Sequence, residues 1–113
     1  MSAQVYMMSN APRGVIYIGV TTDLEGRASE HRQGIGGWFT KKYKCRNLVW
    51  YERHPNVIVA INREKRLKQY FREWKINLIE RFTPNWSDLS GRTHLRDNPF
   101  KPHRFFRNAK HYD

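Results

Sequence analysis

Cysteine is almost missing from this chain. Cys45 stands alone, so no intrachain disulfide and no cysteine-based zinc site can form. The expectation is a reducing, cytoplasmic setting. No apolar run approaches the roughly 20 residues that span a bilayer. The segment from Met1 to Asn10 has neither the basic start nor the long apolar stretch of a signal peptide. His94, His103 and His111 are too widely scattered for zinc-ligand spacing. There is no internal repeat, P-loop, dinucleotide-binding glycine pattern or Gly-x-Ser-x-Gly elbow. Acidic residues are scarce too: 10 Asp and Glu stand against 21 Lys and Arg, for a formal net charge of +11. Between Glu30 and Glu52 there is no acidic residue at all. Such an excess favours a polyanionic partner, with nucleic acid ahead of an anionic membrane surface or plain solubility.

What is present fits one domain with one modest core. The chain has 113 residues, of which 39% are hydrophobic and 14% aromatic, so large rings should do much of the filling. The central stretch is Val15 to His31. Val15, Ile16, Tyr17, Ile18 and Val20 read as a strand. Gly19 interrupts it, which points to close approach by another backbone or a ligand. Thr22-x-x-Glu25 reads as a capping box that opens a helix near Asp23. On that helix Leu24, Arg27, Ala28 and His31 share one face, which puts an arginine and a histidine on the stripe that should be buried.

Gln4 to Met8 forms a second short strand, joined through the Pro12 and Gly14 turn to Val15 as a hairpin. Tyr6 and Tyr17 lie on its two arms, and register decides whether they share a face. Gly34 to Gly37 should be a mobile loop. In the acid-free window around it, Arg32, Lys41, Lys42, Lys44 and Arg46 lie beside Trp38, Phe39 and Tyr43. That mixture suits phosphates with occasional base stacking, and equally a solvated basic loop with buried rings. Asn47 to Glu52 is a third strand. Asn56 caps a long helical pattern in which Val57, Ala60, Leu67, Phe71, Trp74 and Leu78 recur at helical spacing, whether in one helix or two. Glu64 falls on that stripe, where a carboxylate must be paired or bind a cation. A structural pair with Arg27 or another arginine competes with a metal ligand or catalytic acid. Pro84 ends the pattern. Residues 90–113 hold six Lys or Arg and read as an appended basic tail, leaving residues 1–89 as the domain.

Tyr6, Tyr17, Arg27, His31, Tyr43 and Glu64 together could serve phosphodiester hydrolysis. Such a reaction needs a proton acceptor for water, a guanidinium for phosphorane charge and a carboxylate for a hydrated cation. Here the chain resembles the GIY-YIG nuclease superfamily, especially its small stand-alone bacterial members. Gln4-Val5-Tyr6 stands where the family has Gly-Ile-Tyr, and Tyr17-Ile18-Gly19 matches Tyr-Ile-Gly. Asp23-Leu24 through Arg27 to His31 resembles its D-L-x-x-R-x-x-x-H. Arg63-Glu64-Lys65-x-x-Lys68 resembles R-E-K-x-x-K, and Trp86-Ser87-Asp88-Leu89 resembles W-x-D-L. These motifs span residues 4–89.

The resemblance implies an α+β fold, a small three-stranded antiparallel sheet flanked by helices in ββαβα order. It implies a metal-dependent DNA endonuclease, structure-specific in repair or recombination, with products carrying a 5′ phosphate and a 3′ hydroxyl. It gives one Mg²⁺ or Mn²⁺ to Glu64 and the scissile phosphate to Arg27. Tyr6, Tyr17 and His31 line the site, and Tyr43 or Lys42 aligns more loosely with a further site position. The basic set that would hold nucleic acid is Arg32, Lys41, Lys42, Lys44, Arg46, Lys65 and Lys68. RNA stays open as a substrate, and a homodimer or protein partner would supply specificity. The competing reading is a GIY-YIG-fold module that binds nucleic acid without cutting it.

Overall fold

The computed structural model describes residues 2–91. The elements run β1 (Ala3–Ser9), β2 (Ile16–Thr21), α1 (Leu24–Gln33), α2 (Trp38–Tyr43), β3 (Asn47–His54), α3 (Val57–Gln69) and α4 (Arg72–Phe82). The three strands form one antiparallel sheet in the order β2-β1-β3. The expected ββαβα order holds, with two refinements. A short helix, α2, stands before β3, and the long pattern after Asn56 breaks at Tyr70 and Phe71, whose extended backbones start α4 afresh. The expected basic tail from residue 92 onward lies outside the described residues.

Register settles which side chains share a face. Tyr6 pairs with Gly19 and Met8 with Tyr17 across β1 and β2, while Tyr6 pairs with Tyr51 across β1 and β3. Directly paired residues project to the same side, so Tyr6 and Tyr17 do share one face. There Tyr6, Met8, Leu48 and Tyr51 pack with Leu24 and Ala28 of α1. On the opposite face Val5, Met7, Ile18 and Trp50 pack with Ala60 and Leu67 of α3 and with Ile76 and Ile79 of α4. The sheet is therefore the middle of three layers. That is why β3 buries Leu48 through Glu52 without alternation. Its register shifts between Met7 and Met8, leaving Val49 as an extra residue that joins Trp50 on the second face.

Several local devices differ from the sequence reading. Asp23, not Thr22, caps α1: its carboxylate accepts from the Gly26 amide at 3.1 Å. Gly26 leaves room for that carboxylate, since a Cβ there would sit 2.2 Å from Asp23 Oδ2. Asn56 caps α3 as expected, accepting from Val59 N at 3.0 Å.

The larger correction concerns α3. Its inward residues are Ala60, Arg63 and Leu67, followed by Tyr70, whereas Val57 and Phe71 are exposed. The buried charge on this helix is Arg63, one position before Glu64. Arg63 Nε donates to Glu52 Oε1 at 2.9 Å and Nη2 to Oε2 at 3.4 Å, while His54 Nε2 lies 2.7 Å from Glu52 Oε1. Arg63 Nη1 also donates to the Tyr70 hydroxyl at 3.3 Å. This network, on the face away from Tyr6, meets the rule that buried charges must be paired.

The segment after Pro84 closes the domain. Trp86 is buried and donates from Nε1 to Glu80 at 2.9 Å. Asp88 Oδ1 accepts from Leu48 N at 3.0 Å, and Leu89 N donates to Leu48 O at 2.8 Å. The Trp-x-Asp-Leu stretch thus holds the start of β3.

Candidate active site

The site is built on the first face of the hairpin. Tyr6 is 1% exposed, and its hydroxyl lies 3.0 Å from His31 Nε2. His31 reaches it from the last turn of α1, where its place on the Leu24 and Ala28 stripe aims it at the sheet. On its other side, His31 Nδ1 lies 2.9 Å from Thr40 Oγ1, and that hydroxyl donates to Gly37 O at 3.3 Å. In the tautomer protonated on Nδ1, that nitrogen donates to Thr40, whose own proton goes to Gly37 O, and Nε2 is left to accept from Tyr6. Tyr17 leans against both rings, with centroid separations of 6.1 Å to Tyr6 and 5.4 Å to His31.

Two glycines make this packing possible. A Cβ on Gly19 would sit 2.7 Å from both Cζ and the hydroxyl of Tyr6, so the close approach expected at Gly19 is made by a side chain of this chain. A Cβ on Gly36 would sit 2.2 Å from His31 Nδ1. Gly34, at φ +82°, ends α1 in the left-handed region, and its amide donates to His31 O at 3.0 Å.

Arg27 borders the cluster. Its side chain is 36% exposed, with Nη1 2.6 Å from Glu30 Oε1 and Nη2 donating to Gly36 O at 2.9 Å. It therefore pairs within α1 and not with Glu64. Burial pushes the Tyr6 phenol up to about 12, Tyr17 adds to the rise, and the Arg27 guanidinium offsets part of it. Tyr6 is thus a neutral phenol at pH 7, able to donate to Nε2. Burial, and next the Arg27 charge, lower the His31 pKa below its ordinary value. An uncharged imidazole facing a neutral phenol is a hydrogen-bonded pair with the chemistry to pass a proton toward His31.

The structure brings Tyr6, Tyr17, Arg27 and His31 together. Tyr43 joins only through Phe39, 4.7 Å from it and 5.9 Å from Tyr17 by ring centroid. Glu64 stands apart. It lies on α3, in the other layer, where Lys68 Nζ is 3.1 Å from Oε2, and its side chain is 19% exposed. Helix α3 does pack against β2 and β1, so Glu64 and Tyr17 are carried by elements in direct contact. Arg32, Lys41, Lys42, Lys44 and Arg46 are exposed and gather on α1, on α2 and beside it, while Lys65 and Lys68 are exposed on α3. Sequence reasoning missed Thr40 and Gly36, whose roles arise from tertiary contact with His31 and leave no local signature.

This assembly of hairpin tyrosines, helix arginine and histidine has a match. The family model described as the GIY-YIG catalytic domain matches residues 2–77. The chain belongs to this family. The family is one of nucleases, and the described fold continues the matched domain through α4 and the Trp86 to Leu89 closure. Among curated relatives, a UPF0213 protein of Streptococcus sanguinis is 32% identical over 72 residues, covering 64% of this chain and 83% of that one. A UPF0213 protein of Haloquadratum walsbyi is 38% identical over 68 residues, covering 60% and 76%. One from Staphylococcus aureus is 33% identical over 67 residues, covering 59% and 82%. No solved structure matches the chain. No helix among the described residues is long and apolar enough to cross a membrane.

Proposed function

We propose that this GIY-YIG protein is a metal-dependent endonuclease that hydrolyses DNA phosphodiester bonds, with a role in repair or recombination of structured DNA. The observation that carries the reading is the Tyr6 hydroxyl held 3.0 Å from His31 Nε2, with the Arg27 guanidinium at the border of the pair. A buried phenol needs some partner in any case; what goes beyond packing here is an imidazole partner with Thr40 on its other nitrogen and a guanidinium at its border.

The chemistry follows from these groups. Tyr6 is closed to bulk water, so the step needs one water admitted at the more open Arg27 border; that water gives a proton to the phenol oxygen as the phenol passes its own proton to His31 Nε2. The resulting hydroxide attacks phosphorus, the bond to the 3′ oxygen breaks, and that oxygen leaves with a proton from solvent. Products carry a 5′ phosphate and a 3′ hydroxyl. Arg27, freed from Glu30, offers two parallel donors to phosphate oxygens, a geometry lysine lacks. Thr40 fixes the imidazole tautomer, and Tyr17 packs against both members of the relay.

Glu64 is the carboxylate proposed to hold the divalent ion. Its donor set fits a hard, hydrated cation such as Mg²⁺ or Mn²⁺, which takes one or two carboxylates and keeps several waters. Among the described residues no three His, Cys, Asp or Glu side chains gather into a cage for a softer metal. When bound, the ion supplies charge to the phosphate oxygens. Because β2 is an edge strand, with the relay on one face and α3 against the other, a phosphodiester along that edge could reach both.

Incubating supercoiled plasmid with the protein in Mg²⁺, Mn²⁺ or EDTA tests the reading. Metal-dependent nicking with 5′ phosphate ends is expected. Tight DNA binding without a broken bond in any metal would favour the non-cleaving module.

A further inference from the structure

The segment between α1 and β3 carries a feature the relay does not use. Trp38, the first residue of α2, is 71% exposed. The other tryptophans differ: Trp50 and Trp86 are buried at 1% and 4%, and Trp74 is half-buried. Lys42 Nζ sits 5.1 Å from the centroid of the Trp38 ring and 5.5 Å from that of Tyr43, itself 38% exposed. The two open rings are thus linked by one ammonium, an arrangement that orients aromatic faces at a surface. From Tyr43 the rings continue inward through Phe39 to Tyr17 and His31, with centroid steps of 4.7, 5.9 and 5.4 Å. The aromatic surface of α2 is therefore continuous with the proposed relay.

The charge around these rings has one sign. No Asp or Glu lies between Glu30 and Glu52. Lys41, Lys44 and Arg46 are exposed there, and none is in an ion pair among the described residues. An open indole and phenol in a field of unpaired cations complement a ligand that has both flat π faces and phosphates. Paired DNA hides its base faces within the stack, while an unpaired strand presents them.

We propose that α2 is a stacking platform for an unpaired DNA base, with Trp38 as its main face, Tyr43 as a second, and Lys41, Lys44 and Arg46 on the flanking phosphates. The proposal rests on the nuclease reading for its purpose, since it would make the preferred substrate DNA in which the strand near the cut is unpaired, as at a fork or flap. Stacking itself requires no metal and no cleavage.

The test is therefore a binding measurement in EDTA. Anisotropy of a dye-labelled single strand, a fork with unpaired arms and a fully paired duplex is followed as the full-length protein is added, for wild type, Trp38→Ala and Trp38→Phe, and tryptophan emission is read for wild type. Base stacking is worth enough per base that Trp38→Ala should weaken single-strand and fork binding about 5- to 150-fold. Duplex affinity should stay within about twofold, and Trp38→Phe should recover most of the loss. Wild-type emission should be quenched by unpaired DNA and far less by duplex. Equal loss on duplex and unpaired DNA, or no loss on either, would overturn the platform. So would Trp38-dependent binding to vesicles of anionic lipid without any Trp38 effect on DNA. Thermal melts of both variants separate these outcomes from misfolding. A protein that never cuts DNA but shows the expected pattern would keep the platform and sink the nuclease.

Discussion

Gly19→Ala adds one methyl group at the point where the hairpin backbone meets the relay. The Gly19 backbone lies in a regular strand without positive φ, so alanine brings no conformational strain of its own. Its effect is steric. The new Cβ would lie 2.7 Å from Tyr6 Cζ and from the Tyr6 hydroxyl, and 3.0 Å from Tyr17 Cε2. Ordinary carbon contacts begin near 3.5 Å, so Tyr6 must move by about 1 Å. Tyr6 is only 1% exposed and cannot swing into solvent. Overpacking of this kind costs about 1–3 kcal/mol. The sharper consequence is chemical. A displacement of about 1 Å from Gly19 takes the hydroxyl out of its 3.0 Å alignment with His31 Nε2. Misplacing a reacting group by that much lowers turnover about 100-fold. The assay is single-turnover cleavage at a temperature where urea titration shows the variant fully folded. Wild-type cleavage with wild-type stability would refute the reasoning, and so would a rate loss that vanishes once corrected for the folded fraction.

Other predictions bear on separate parts of the account. Arg27→Lys should fold normally yet lower kcat about 100- to 1,000-fold, because a lysine replaces a two-pronged donor with a point charge; near-normal turnover in a steady-state assay would move the phosphate role elsewhere. Glu52→Ala leaves Arg63 buried without its carboxylate and should cost about 3–5 kcal/mol in urea unfolding, whereas a surface-like change below about 1 kcal/mol would contradict the buried network. The His31 pKa is lowered in the folded state, so between that value and the unfolded value near 6.5 the unfolded chain binds more protons. Stability contributed by neutral His31 should be complete above pH 6.5 and fall with decreasing pH, alongside the cleavage rate. His31→Gln should flatten this part of the urea-midpoint profile, and an unchanged profile would show that another group titrates.

The hairpin and α1 were legible because their signals are local. β-branched residues marked β2, and spacing alone put His31 and Arg27 on the face of Leu24 and Ala28. The family motifs then gave the remaining order. What escaped depends on contacts between distant segments. Asp23 displaced Thr22 as the cap because its carboxylate reaches the Gly26 amide directly. The α3 stripe was misplaced by one residue because Val57 and Phe71 look apolar yet face solvent, while Arg63 looks polar yet is buried by Glu52. Alternation held a clue, since Glu52 shares a face with Trp50 two residues earlier. No sequence pattern announces that Thr40 would orient His31, or that Gly36 would make room for it. Helix α2 is short and rich in aromatics and lysine, a composition that reads as loop; its start has no side-chain cap, and its end closes on Thr40 O through the left-handed Lys44.

The central claim is that this fold cuts DNA using Glu64 together with the relay. The most direct measurement is cleavage of labelled linear, nicked, flap, fork and four-way DNAs in Mg²⁺ and in EDTA, with wild type beside Glu64→Ala. The account predicts cutting by wild type in Mg²⁺ alone, none by Glu64→Ala, and DNA affinity in EDTA that is nearly the same for both. Cutting in EDTA, or equal cutting by the two proteins, would contradict it.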